Sequence, residues 1–198
     1  MRILNKEILN TSEQVTTLTT EPQQLDFIYG YALYHTITNT TPDAKVFANT
    51  AVVTADDEIT IASHGLTTGL VGQMTTSGGL PGGLTTSTNY FVIVVDTNTI
   101  QLASSLANAL AGTAINLTTQ GTGNHTFTPT ALAGTVNYQA SVDGQNWVTL
   151  ATPAPNAFTG TESALVNQGD VFYPWVRLQV SITAGRCSAT AHINGKGI

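Results

Sequence analysis

The chain has 198 residues, 41% of them hydrophobic and only 9% charged, with a formal net charge of −6. That length and apolar content support one large or two small cores, and exclude both a disordered chain and a stapled mini-protein. No Lys or Arg occurs between Lys45 and Arg177, so the middle of the chain has no cations to neutralise phosphates, and neither nucleic acid nor an anionic membrane is an expected partner.

Threonine, glycine and asparagine are abundant, the balance of a strand-and-turn protein in which helix is the minority state. At the N-terminus, Met1 to Glu7 breaks its apolar pairs with charges, so no uninterrupted apolar stretch of an export signal can be drawn. The segment Met1 to Thr20, with Ile3, Leu4, Ile8 and Leu9, suits either an arm laid on a partner subunit or a simple edge strand. Next, Phe27, Tyr29, Tyr31, Leu33, His35 and Ile37 share one parity, which predicts a long strand over 27–37 with that face buried.

Between Pro42 and Pro129 the texture changes. Runs are shorter, Gly and Thr punctuate them, and Gly78 to Gly83 reads as a flexible loop tip. The best strand there is Tyr90 to Val95, apolar on both faces and therefore central, though too short to span a bilayer. An Asp96-Thr97-Asn98 turn leads into a strand over Thr99 to Ala103, and Ser104 to Leu110 predicts a short helix capped by Ser104 or Ser105 and ended by Gly112. Shorter strands are expected at 51–53, 58–61, 73–76, 115–117 and 125–127.

After this module, Val136, Tyr138, Ala140 and Val142 alternate with polar residues, and Asp143-Gly144-Gln145-Asn146 turns the chain into Trp147 to Leu150, which predicts a hairpin. Val176, Leu178 and Val180 face opposite to Trp175, Arg177 and Gln179, and Ala184-Gly185 then turns the chain into 188–194, read as a second hairpin. The expected fold is all-β: an antiparallel β-sandwich of the jelly-roll or galactose-binding-like kind from 1–45 and 129–198, with a small β module, 46–128, inserted in a loop.

Two groups of words carry a resemblance. Ser63-His64-Gly65-Leu66-Thr67-Thr68-Gly69, Leu80-Pro81-Gly82-Gly83-Leu84, the strand from Tyr90, Leu102 to Ala109 and Gly121-Thr122-Gly123-Asn124-His125-Thr126-Phe127 resemble a module recurrent in tailed-phage virion and tail proteins. Phe27 to Tyr31, Ala140 to Trp147 and Trp175 to Leu178 are similar to small β-sandwich domains of phage capsid auxiliary and tail components. The resemblance implies a non-enzymatic virion protein whose partners are the major capsid protein or tail proteins. It implies no catalytic residues.

The remaining constellations have a structural reading beside a functional one. Ser141 to Trp147 resembles the aspartate box of sialidase propellers, but it occurs once and lacks that motif's spacing between Asp and Gly; a hairpin turn with Trp147 at its base is the plainer account. Trp147, Trp175, Tyr138 and Arg177 together suit a sugar platform, because aromatic faces and a fork of donors fit pyranose rings, though aromatics in a sandwich are more often core. Asp56-Asp57-Glu58 suits a Ca²⁺ site or a solvated turn. His35, His64, His125 and His192 show no metal-ligand spacing, although His64 and His125 could meet within the module. Cys187 is the only cysteine and has no local catalytic partner, and Gly78 to Gly83 lacks the Lys of a phosphate loop. No metal or cofactor is expected.

These readings converge on a structural part of a bacteriophage particle, assembled in the bacterial cytoplasm and present as a homo-oligomer or symmetric array. Capsid decoration on the outer head surface is the leading expectation, with a tail, neck or baseplate part and a glycan-binding adhesion module as alternatives.

Overall fold

A computed structural model describes residues 3–25 and 28–197; Phe27 lies outside the described residues, as do the side chains of Ile3 and Tyr29. In chain order the strands begin with β1 (Ile3–Gln14), β2 (Leu18–Thr19), β3 (Gln23–Gln24) and β4 (Ile28–Asn39). There follow β5 (Lys45–Ala48), a 3₁₀ turn (Asn49–Ala51), β6 (Val52–Val53), β7 (Glu58–Thr60), β8 (Val71–Thr76), β9 (Asn89–Val94), β10 (Thr99–Ala103), the helix α1 (Leu106–Leu110) and β11 (Asn124–Pro129). The chain ends with β12 (Ala133–Ser141), β13 (Val148–Thr149), β14 (Asn156–Phe158), β15 (Glu162–Gln168), β16 (Trp175–Ala184) and β17 (Cys187–Gly197). Strand makes up 52% of the protein and helix 4%, so the fold is all-β.

The chain divides into two compact units, one running up to Thr40 and again from Ala131, the other Thr41–Thr130. The first is an antiparallel sandwich. One sheet has the order β1-β17-β4-β15; the other runs β13-β12-β16-β2, with β14 on β12 and β3 on β16. Period-2 alternation decides which side chains meet between them. Tyr31, Leu33 and Ile37 of β4 and Cys187, Ala189, Ala191 and Ile193 of β17 face Val136 and Tyr138 of β12 and Val176, Leu178 and Val180 of β16, all below 5% exposed.

The turn at Ala184-Gly185 does not close a hairpin. β16 pairs with β12 and β17 with β4 and β1, so the chain crosses there from one sheet to the other. Each strand thereby turns its apolar face onto the strands of the opposite sheet, in one shared core.

The second unit is a seven-stranded antiparallel sheet, β5-β11-β8-β9-β10-β7-β6, with β9 at its centre. Tyr90 and Val92 on one face of β9 and Ile93 on the other are buried, so the strand contributes apolar side chains to both faces of the sheet. The Ser105 side chain caps α1 by accepting from the Asn108 amide at 3.1 Å, and Gly112 follows in the left-handed conformation. No strand forms over 115–117. The Gly78 to Gly83 loop is braced rather than free: Gly79 N donates to Thr122 Oγ1 at 2.8 Å and Gly82 N to Thr119 Oγ1 at 2.9 Å. Cβ atoms at Gly78 and Gly82 would collide with Thr122 and Thr118, so glycine serves close approach there.

Candidate binding surface on the sandwich

The turn after β12 is built around one carboxylate. Asp143 Oδ1 accepts from the amides of Asn146 (2.8 Å) and Gln145 (2.9 Å) and from the Ser141 hydroxyl (2.8 Å), and Oδ2 accepts from Asn146 Nδ2 at 2.6 Å. These bonds, the Asn146 amide first among them, hold the Asp143 carboxyl well below the usual carboxylate range. Ser141 Oγ in turn accepts from the Asp143 and Gly144 amides. The motif is a self-satisfied Asx turn that sets where Trp147 leaves the loop.

Beyond the turn, alternation places Gln139 of β12 and Arg177 of β16 in register on the outer face of their sheet. Arg177 Nε donates to Gln139 Oε1 at 2.7 Å, and its guanidinium carbon stands 4.2 Å from the centroid of the Trp147 ring, a cation–π contact on a partly exposed side chain. Trp175 packs its ring against Gly144, where a Cβ would lie 3.3 Å from it. Asn137 continues the polar row, donating to Gln179 Oε1 and Ser181 Oγ at 3.3 Å each.

Tyr138 does not join this surface. It shares parity with Val136 and Ala140, so it points into the core at 1% exposure, and a sugar on the outer face cannot reach it. Burial and the Glu162 charge push its phenol up to about 12. Among the described residues its hydroxyl has no hydrogen-bond partner. His35, across the core at 6.0 Å between ring centroids, likewise has no hydrogen-bond partner at either nitrogen among the described residues, with Glu162 3.9 Å from Nε2. The flanking register partners Ala164 and Ala191 leave room for the imidazole. This buried polar pair was legible only as two members of apolar faces.

At the end of the sandwich, Ala140, Ser141, Val142, Asn146, Val148 and Tyr173 line a depression of about 280 Å³. Val142 is 77% and Val148 68% exposed, and Phe172, the residue before Tyr173, is 92% exposed. Val142 and Val148 therefore give this depression apolar walls that are open to solvent.

The other sequence candidates serve the fold. His64 Nδ1 accepts from the Leu66 amide at 2.9 Å while Nε2 donates to the Asp96 carbonyl at 2.8 Å. His125 Nε2 donates to the Gln120 carbonyl at 3.0 Å, and Nδ1 meets the Thr76 hydroxyl at 3.0 Å. Each ring is buried with both nitrogens engaged, and the two share no bond. Asp57 Oδ1 accepts from the Leu117 amide at 2.7 Å, so the acidic cluster is a bonded turn. His192, half exposed, lies 3.7 Å from Glu7 across β1 and β17. Burial pushes the Cys187 thiol up to about 11, which makes it inert at neutral pH. Among the described residues no three His, Cys, Asp or Glu side chains gather into a metal-holding group, and no helix is long and apolar enough to cross a membrane.

No protein-family model and no curated protein sequence matches the chain. Among solved structures it is similar to the PBSX exported protein XepA, at 6% identity and a TM-score of 0.41, over 98% of this chain and 37% of that one. It thus spans little more than a third of that protein's length. It is also similar to the complex of VP16 and VP17, the two major capsid proteins of bacteriophage P23-77, at 8% identity and a TM-score of 0.20, over 100% of this chain and 99% of that one. VP17 itself matches at 8% identity and a TM-score of 0.18, over 98% of this chain and 96% of that one.

Proposed function

We propose that this chain is a non-enzymatic structural component of a bacteriophage virion, most specifically an auxiliary protein decorating the outer surface of the head. The observation that carries the reading is how the protein uses its chemistry-bearing side chains. His64, His125, Asp57 and Asp143 are bound into turns and strand ends. What faces outward is a field of amides and hydroxyls with a few open apolar side chains, Val142, Val148 and Phe172 foremost. Such a surface docks by shape and hydrogen bonding rather than by ion pairs, which suits packing against neighbours in a symmetric shell. The phage-like words of the sequence point the same way.

Purified protein mixed with emptied heads and with isolated tails of the encoding phage, then sedimented, tests this. Co-sedimentation with heads is expected. Association with tails alone would move the protein to the tail, neck or baseplate, and association with neither would end the virion reading.

A second reading rests on Trp147. One face of its ring carries Arg177, with Gln139 alongside, a grouping that also suits a pyranose ring. Titrating host polysaccharide while following tryptophan emission separates the two: a saturable change lost in Trp147→Ala supports adhesion, and a flat response removes it.

A further inference from the structure

The outermost strands of a β-sheet carry amides and carbonyls with no ladder partner, and folded proteins guard such edges with short length, charge, proline or bulges. Among the described residues, most edges here are guarded. The seven-stranded sheet ends in β5, four residues, and β6, two residues. The β12–β16 sheet ends in two- and three-residue segments. β1 is long, but it carries Lys6, Glu7 and Glu13 and breaks register with β17 twice.

β15 has little of this protection. Its seven residues, Glu-Ser-Ala-Leu-Val-Asn-Gln, pair with β4 in unbroken register from Glu162↔Ile37 to Gln168↔Tyr31. It holds no proline and one charge, at its first position. Ser163, Leu165 and Asn167 face solvent. Leu165 is 62% exposed, and its register partner Tyr34 is 43% exposed beside it.

We propose that two copies of this chain pair antiparallel along β15 about a two-fold axis at Leu165, joining their four-stranded sheets into one. This residue is the midpoint of the strand, and the resulting register is self-complementary. Leu165 meets its own counterpart, Ala164 faces Val166, Ser163 faces Asn167, and Glu162 faces Gln168, so no like charges are opposed. Moving the axis to Ala164 or Val166 shortens the ladder and loses the Leu165 contact. An axis at Leu165 also brings the side chains Tyr34, Leu165, Leu165 and Tyr34 into one continuous row across the outer face, covering the flank of each Leu165 that a single copy leaves in water. A perpendicular two-fold keeps both inner faces on the same side, as an isologous interface requires.

Sedimentation velocity over a range of concentrations tests the pairing in the 198-residue chain. The wild type is expected to dimerise. Leu165→Lys and Leu165→Glu, each placing like charges at the axis on a solvent-facing position, are expected to be monomers with unchanged far-UV circular dichroism, and their equimolar mixture to recover the dimer. A monomeric wild type, a dimer indifferent to both substitutions, or a mixture that stays monomeric overturns the proposal. Hydrogen exchange on the wild type gives an independent reading. Protection of the 162–168 amides should rise with concentration, and constant protection equally overturns it. No particle is present in either experiment, so dimerisation without joining heads or tails would sink only the virion reading.

Discussion

Phe158 lies across Gly134, its register partner on β12, so closely that a Cβ at position 134 would collide with the ring and with the Ser181 carbonyl. The seven-stranded sheet repeats the device, with the Phe127 ring over Gly72. Both rings are essentially fully buried. Adding a methyl group normally stabilises a tolerant glycine site by about 0.4–1 kcal/mol through the unfolded chain, but here it must displace a core ring or backbone. Gly134→Ala and Gly72→Ala are therefore expected to destabilise by about 1–3 kcal/mol, while Gly160→Ala, whose Cβ would meet nothing within 4 Å, is neutral or slightly stabilising. Urea unfolding measures all three. Both tryptophans, Trp147 and Trp175, belong to the sandwich, so their emission reports Gly134→Ala and circular dichroism reports Gly72→Ala.

Tyr138 supplies a second test, because its hydroxyl is buried with no hydrogen-bond partner among the described residues. Leaving such a group unsatisfied costs about 1–3 kcal/mol, whereas the ring itself fills the core. Tyr138→Phe removes the cost and keeps the packing, so it is expected to raise the thermal midpoint or leave it unchanged. A clear loss of stability would show that the hydroxyl is bonded in solution.

His35 makes stability depend on pH. Burial lowers its pKa from the ordinary 6.5, so below that value the unfolded chain binds a proton that the folded chain resists. Stability should then fall as pH drops through about 6.5. Glu162, raised above its ordinary 4.5 by burial, acts in the opposite sense at lower pH, because there the folded chain takes up the proton more readily. Denaturant unfolding from neutral pH downward should show the decline in the wild type and a flatter profile in His35→Leu. Parallel profiles would rule out His35 as its source.

At the exposed turn, Asp143 offers two graded substitutions. Asparagine keeps an acceptor at Oδ1 for the Asn146 and Gln145 amides but loses the Oδ2 acceptor that Asn146 Nδ2 uses, and alanine keeps neither. Asp143→Ala is expected to loosen the 141–147 turn, with faster proteolysis there and a shifted Trp147 emission, while Asp143→Asn falls between it and the wild type. Equal behaviour of the two would mean that the carboxylate charge, not the acceptor geometry, holds the turn.

How much of this was legible in the sequence follows from burial. β4, β12 and β16 each bury one face, so their alternation is written in the residues, and the Ser104-Ser105 pair announces α1 by its capping chemistry, with Ser105 the residue that caps it. The same alternation places Tyr138 inside, opposite in parity to the Gln139 that pairs with Arg177, a signal that grouping aromatic side chains by type overrides. Pairing was not legible at Ala184-Gly185, because a tight turn looks alike whether it closes a hairpin or crosses between sheets. β15 was missed because an edge strand exposes part of both faces and so lacks a clean apolar period. The Gly78 to Gly83 loop misled for a related reason: glycine marks close approach as readily as freedom, and only the Thr118 to Thr122 segment packed against it tells which.

The last expectation concerns the two units. Every strand of the seven-stranded sheet comes from Lys45 to Pro129, and the sandwich sheets draw none of theirs from that stretch. Within the sandwich the two cut ends are held by one turn: the Thr40 amide donates to the Arg186 carbonyl, Arg186 Nε donates to the Thr40 carbonyl, and Ala133 pairs with Ala184. A short glycine linker from Thr40 to Ala131 therefore has little distance to close, and a shorter loop costs less closure entropy. We expect the excised chain to fold, with native tryptophan emission and a single cooperative urea transition. If it stays unfolded while the full chain folds, the sandwich core depends on the 41–130 segment, and the picture of a self-sufficient sandwich carrying an inserted module fails.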